Sequence, residues 1–250
     1  MSRHDPLTHD AIDPGRSAGW WADAALLLWR HPLRWGLLGV VVMAALDALG
    51  RLPWVGTLAT LAATPLVLGG WAHLAHEARL HGTAPGLRGL LAGTRAPHWR
   101  PLAVLGAVLV ASALLIAAVG QVLGLGAQLG AVGVDPPESL LARAQLGRGM
   151  LALLLLLAFS LLVSAALWFA PALVVLRGAT PQAAMRASLV AVRDNGLTFL
   201  LYAVVQLLLA ATATLPEHLG WLLLVPWMLT TTYVSYRDVF EAPAAHLPAV

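Results

Sequence analysis

Six stretches of about 20 mostly apolar residues, separated by short segments that hold nearly all the arginine, constrain this chain more than any other feature. They run over 33–49, 54–75, 101–123, 150–176, 197–215 and 219–236. About 20 apolar residues in a helix cross the roughly 30 Å of hydrocarbon in a bilayer. Composition agrees: 59% of the 250 residues are hydrophobic and 11% are charged, where a soluble domain carries about 25% charged residues. So few charges cannot coat a water-facing surface. The expected fold class is all-α: a polytopic membrane protein of six transmembrane helices, with the lipid bilayer as its first partner.

Three less hydrophobic stretches precede the odd-numbered spans. Residues 20–30 place Asp23 and Arg30 two turns apart on a narrow polar stripe, and 85–93 read PGLRGLLAG. In 181–194, Arg186 and Arg193 share one face, while Met185, Leu189 and Val192 form another. Each is expected to be an amphipathic helix lying in the interface, apolar side down. Pro181 suits a first helical position, and Asn195-Gly196 a stop.

Arginine placement orients the chain, because cytoplasmic loops collect basic residues. All 15 basic residues are Arg. Arg3, Arg16, Arg30, Arg34, Arg79, Arg88, Arg95, Arg100, Arg177, Arg186, Arg193 and Arg237 fall on the side of the N-terminus; Arg51, Arg143 and Arg148 fall opposite. Both termini are therefore expected in the cytoplasm. Residues 1–17 lack the apolar core of a signal peptide and are expected to be a disordered cytoplasmic leader. Residues 18–237 would form one membrane domain, and 238–250 a short cytoplasmic tail. The net charge of +3, spread between hydrophobic blocks, gives no footing for nucleic acid. Cysteine is absent, which removes disulfides and thiolate chemistry.

A threefold internal repeat emerges from the spacing, each unit being an interfacial helix followed by two spans. The even-numbered spans carry Pro65, Pro171 and Pro226 as expected kinks. From Gly19 to Pro65 is 46 residues, from Pro181 to Pro226 is 45, and from Pro85 to Pro171 is 86, the excess falling in the Gly-rich loop 124–149. A proline inside a span frees a carbonyl, so it sits best where protein rather than lipid surrounds it.

Few side chains invite chemistry. Asp47 is the acidic residue well inside a span, and Arg51 follows at i+4, the spacing of a local helical ion pair; a proton- or ion-relay role is the competing reading. Asp47, Arg51, Gln121 and Gln206 are the candidate binding residues. His73, His76 and Glu77 close the second span at ligand-like spacing, but without HExxH and with no partner evident beyond nearby His81, a solvated helix end is expected and no metal. Gly120 with Gly124, and Gly126 with Gly130, have small-xxx-small spacing for helix packing. Trp20, Trp21, Trp29, Trp35, Trp54, Trp99, Trp221 and Trp227 sit mostly at block ends, as an interfacial aromatic belt would. Ser160, Ser164, Thr230, Thr231 and Thr232 are placed to bond their own helix backbone. Neither a catalytic constellation nor a cofactor site is evident.

The residues also carry a resemblance. Gly19-Trp20 leading through LLLWRHPLRW, then GRLPWVGTLATLAATPLVLGG and LLAGTR, resemble a family of uncharacterised six-span bacterial inner-membrane proteins. WFAPALVVLRGATPQAAMRASLVAVRDNGLTFLLY, from Trp168 to Tyr202, and VPWMLTTTYVSYRDVF, from Val225 to Phe240, resemble it more closely. The same segments look like the membrane domain that accompanies some glycerophosphodiester phosphodiesterases. The resemblance implies a multi-pass protein of the bacterial inner membrane and no assigned activity. The functional expectation is a non-enzymatic module that associates with membrane proteins or lipids. The alternative is a transporter or channel for a small amphipathic solute, lined by proline-kinked helices. It requires Asp47, Gln121, Gln206 and Ser164 to converge at mid-membrane.

Overall fold

The computed structural model describes residues 7–92, 94–95, 97–124, 140–215, 217 and 219–241, with residue 92 and residues 140–147 described in backbone only. Gly126, Gly130, Pro216, His218, the side chain of Arg143, most of the loop 124–149 and residues 242–250 of the tail expected at 238–250 lie outside the described residues. Among the described residues the structure is helical and holds no strand.

Helix α1, Arg16–Trp29, buries Ser17, Trp20, Trp21, Ala24 and Leu27. That spacing returns every third or fourth residue to one face, so α1 lies flat on the protein. Pro32 opens α2, Pro32–Gly50, where a missing N–H costs no hydrogen bond. Helix α3, Gly56–His81, carries Pro65 inside it and ends on Gly82 at φ 61°. The left-handed residue that stops such a helix is most readily glycine. Helix α4, Leu87–Ala92, is a short turn before α5, Trp99–Val122.

The fourth hydrophobic stretch is not one helix. It divides into α6, Leu140–Trp168, and α7, Ala170–Arg177. Pro171 lacks an N–H, and its ring would collide with the carbonyl of Leu167 in a continuous helix. Gly178 at φ 64° ends α7. Thr180 then caps α8, Pro181–Asp194, accepting from the Ala183 N–H at 3.4 Å. Helix α9, Gly196–Thr214, and α10, Trp221–Phe240, are the last of the described helices.

Among the described residues, five segments are long and apolar enough to cross a membrane: α2, α3, α5, the stretch Arg148–Arg177, and α9. Only 11% of the most apolar window of Arg148–Arg177 is buried inside the protein, and 17% for α5 and α9. Leu114, Leu115, Leu154, Leu155, Leu200 and Leu207 are among the leucines facing outward. A soluble monomer rarely exposes so continuous an apolar surface; a membrane protein does.

Helix α10, the sixth expected span, is not among those five. Its 20 residues suffice in length, but Thr230, Thr231, Thr232, Tyr233, Ser235, Tyr236, Arg237 and Asp238 make it too polar. The reason is its surroundings: Leu224, Pro226, Thr230, Thr231, Val234, Ser235 and Val239 are all buried against other helices. Polar groups there meet protein partners instead of hydrocarbon. The Thr230 hydroxyl donates to the Pro226 carbonyl at 2.8 Å and accepts from the Trp71 indole N–H at 3.0 Å. The hydroxyls of Tyr202 and Thr231 are 2.8 Å apart.

Helix α3 is the hub, packed by α2, α4, α5, α7 and α10. Its small residues permit this. A Cβ on Gly106 of α5 would stand 2.5 Å from the Ala62 carbonyl oxygen, and one on Gly69 would meet Val175 and Leu102. Gly39 of α2 lies similarly against the Pro226 ring. Close approach thus occurs at these glycines and not at Gly120, where a Cβ would meet open space; Gly124 instead takes the left-handed conformation, φ 62°, just past α5. Helices α1, α4 and α8 lie respectively against α10, α3 and the α6–α7 pair.

The tryptophans divide by environment. Trp20, Trp21, Trp35 and Trp71 are core residues, so three of those expected in an interfacial belt are packed inside. Trp29, Trp54 and Trp99 are exposed. Position within a hydrophobic block does not say which side of the helix a residue occupies, and α1 and α2 turn these three inward.

Candidate functional site

Ionic side chains gather where the end of α10 meets α1, the end of α3 and the end of α7. Asp23 on α1 accepts from Arg16 Nη2 at 2.6 Å and from Arg237 Nη2 at 2.7 Å. Asp238 accepts from Arg16 Nε at 2.6 Å and Trp20 Nε1 at 3.2 Å through Oδ2, and from Arg237 through Oδ1. Two arginines and two aspartates therefore close a ring that pins α1 onto α10. Burial works against the charge of Asp23, but the hydrogen bonds from Arg237 and Arg16 outweigh it and hold the carboxyl below its ordinary range. Burial likewise opposes the charge of Arg16, and its bonds to Asp238 and Asp23 more than compensate, raising its pKa.

Beside the ring, Arg79 Nη1 donates to Glu241 Oε2 at 2.6 Å and to the Tyr233 hydroxyl at 3.4 Å. His76 Nδ1 lies 3.2 Å from the same hydroxyl. Arg177, from the end of α7, donates to the Tyr236 hydroxyl at 3.0 Å and to the Phe240 carbonyl at 2.9 Å. That carbonyl closes α10, so a cation satisfies a helix C-terminus where the dipole favours it.

Between α1, α3 and α10 this cluster opens a cleft of about 280 Å³. Asp23, Arg30, Arg79 and Arg237 supply its polar wall. Leu26, Leu27, Tyr233 and Val234 supply its apolar wall. Its chemistry suits an anion with an apolar part: fixed guanidinium donors on one side, hydrocarbon on the other.

The candidate binding residues Asp47, Arg51, Gln121 and Gln206 lie elsewhere. Asp47 and Arg51 form the expected i,i+4 pair, 2.8 Å apart, with 61% and 78% of their side chains exposed. Gln121 is exposed at the end of α5, Gln206 half-exposed on α9, and Ser164 exposed on α6. None of α2, α5 and α9 packs extensively on another of the three, so Asp47, Gln121 and Gln206 do not gather. Pro65, Pro171 and Pro226 are all buried. Glu77 pairs at 3.7 Å with His81, while His76 turns toward Glu241 at 3.5 Å. Thr230, Thr231, Thr232 and Ser160 each return a hydrogen bond to their own helix.

Reading the sequence missed the arginine cluster. Arg16 and Asp238 are 222 residues apart, and no spacing rule joins them. It also missed the N-terminal segment. In the stretch expected to be a disordered leader, the Asp10 N–H donates to the Val239 carbonyl at 2.9 Å. The Ile12 N–H donates to Asn195 Oδ1 at 2.7 Å, and Asn195 Nδ2 donates to the Asp10 carbonyl at 3.2 Å. Asn195, read from sequence as a helix stop, thus also clips residues 10–12 against α8 and α9.

Residues 33–250 match the family described as Domain of unknown function (DUF7847). The chain belongs to this family. No curated protein and no solved structure matches it. The DUF7847 region begins at the second residue of α2, so α1 precedes it. The cleft is therefore built between the DUF7847 region, which contributes Arg79, Tyr233, Val234 and Arg237, and the segment before it, which contributes Asp23, Leu26 and Leu27 from α1 and Arg30 just past its end.

Proposed function

We propose that this chain is a non-enzymatic module of a bacterial inner membrane that associates with lipids or membrane proteins through its arginine-rich face. The observation that carries the reading is the cluster where the ends of α3, α7 and α10 converge on α1, bringing Arg16, Arg30, Arg79, Arg177 and Arg237 to one end of the molecule. Arginine at a bilayer surface marks the cytoplasmic, anionic leaflet. In this reading α10 is the sixth span, shielded from lipid by its neighbours, and both termini are cytoplasmic. Helices α1, α4 and α8 lie in the interface, and the likeness to the membrane domain that accompanies glycerophosphodiester phosphodiesterases fits the same accessory role.

The threefold repeat has support in the packing. Helix α4 of the second unit lies on α3 of the first, α8 of the third lies on α6 and α7 of the second, and α1 of the first lies on α10 of the third. Each interfacial helix rests on the second span of the preceding unit, and the series closes on itself. That cyclic order suits a scaffold that holds its shape. The transporter reading has less behind it, because Asp47, Gln121 and Ser164 face outward instead of sharing a cavity.

Mild solubilisation followed by mass measurement of the purified full chain tests the proposal. Retained lipid or a stoichiometric membrane-protein partner is expected. A lone monomer free of both, together with solute flux through the reconstituted chain, would overturn it.

A further inference from the structure

The cleft has an unbalanced charge. Arg16, Arg30, Arg79 and Arg237 stand against Asp23, Asp238 and Glu241, and six of the seven groups are committed to one another at 2.6–2.7 Å. Arg30 is left over. It is exposed, its guanidinium has no hydrogen bond or ion pair among the described residues, and it lines the cleft with Arg79 and Arg237. Beside it runs an exposed apolar strip: Leu26, Trp29, Leu33 and Leu37 are 68%, 80%, 87% and 65% exposed. A cationic notch with three guanidiniums and one surplus charge, opening onto a hydrocarbon ledge, is complementary to an amphiphile with an anionic head.

We infer that the cleft binds the phosphate of an anionic glycerophospholipid, with Arg30 as its principal ligand, Arg79 and Arg237 as flanking donors, and the acyl chains along Leu26, Trp29 and Leu33. The inference rests on the lipid-associating reading above and names its site. Guanidinium groups match phosphate oxygens through paired N–H donors, which a solvated ammonium does less well. The volume, about 280 Å³, is at the small end of small-molecule sites and leaves the tails outside on the ledge. The same guanidiniums would also accept a free phosphate compound, so the two sources need separate arms.

The test uses the full chain in a neutral detergent with fluorescent phosphatidylglycerol or phosphatidylcholine as probe. Wild type is expected to retain phosphatidylglycerol preferentially, and Arg30→Gln to lose about fivefold of that preference, the worth of roughly one basic residue at an anionic surface. Arg30→Lys should recover part of it. Arg30 has no partner to lose, so the variants should melt with wild type. Equal retention by wild type and Arg30→Gln would overturn the cleft while leaving lipid association standing; retention of neither lipid by either protein would overturn both. Displacement of the probe by millimolar inorganic phosphate, but not by chloride of equal ionic strength, would assign the cleft to a soluble phosphate compound and overturn the lipid.

Discussion

The hydroxyl of Ser188 stands inside the hydrogen bond that Phe169 would otherwise make to Ala165. The Phe169 N–H donates to Ser188 Oγ at 2.9 Å, and Ser188 Oγ donates to the Ala165 carbonyl at 2.6 Å. An unbroken α-helix would join that N–H to that carbonyl directly. The serine, fully buried on α8, thereby locks the break between α6 and α7 that Pro171 imposes, and ties α8 to both.

Ser188→Ala leaves the Phe169 N–H and the Ala165 carbonyl without their shared partner. Leaving buried polar groups unpaired costs about 1–3 kcal/mol. Thermal unfolding in detergent, followed by circular dichroism, should show that loss. A change below about 0.5 kcal/mol, the size of an ordinary surface substitution, would mean the break holds without the serine.

Gly106→Ala should part α3 from α5. The added Cβ meets the Ala62 carbonyl at 2.5 Å, and a helix backbone cannot step aside, so a loss of about 1–3 kcal/mol is expected. Gly120→Ala is the control on the same helix. With nothing within 4 Å, it should be neutral or gain up to about 1 kcal/mol from helix propensity. Equal effects at the two positions would contradict the packing described.

Asp23 makes the seating of α1 sensitive to acid. Its folded pKa lies below the ordinary aspartate value of 3.8, so its contribution is full above about 4 and is lost as pH falls through the folded pKa. Emission from Trp20 and Trp21, both buried on α1, should stay constant from neutral pH to about pH 5 and shift red below that window. Asp23→Asn should weaken the seating at neutral pH by about 1 kcal/mol and flatten the acid transition. A transition centred near pH 6 in wild type would assign it to some other group.

How far the sequence went depended on what kind of signal each feature leaves. Hydrocarbon-length blocks are a one-dimensional signal, and five of the six segments found that way meet it in three dimensions. The sixth, α10, was found by its Leu222–Trp227 half, while its Thr230–Asp238 half is polar because helices surround it, which no window of sequence reports. Proline 171 signalled a kink correctly in place but not in kind, since whether a helix bends or breaks depends on a partner such as Ser188. On α8, the spacing of Met185, Leu189 and Val192 marks an apolar face whose residues stay half-buried, while the face against the protein is formed by Ala184, Ser188 and Ala191, small residues that let α8 approach the break and that carry no apolar signal of their own. The ring of Arg16, Asp23, Arg237 and Asp238 joins opposite ends of the chain, and only tertiary structure could assemble it.

Asp47 and Arg51 matter little to stability. Both side chains are mostly exposed, and such pairs are worth about 0–1 kcal/mol. Arg51→Gln should leave the melting curve within about 0.5 kcal/mol of wild type. A larger loss would show that the pair is held in a low-dielectric setting and reopen its role.

The most direct test of the account is the side of the membrane on which each turn lies, and a chain without cysteine has no background for it. Single cysteines replace Trp54 and Glu217 at two turns, and His81 and Ala179 at two others, and intact cells are treated with a membrane-impermeant maleimide. Six spans with cytoplasmic termini require labelling at 54 and 217 in intact cells, and at 81 and 179 only after permeabilisation. Labelling at 217 only after permeabilisation, or of all four positions alike in intact cells, would contradict it.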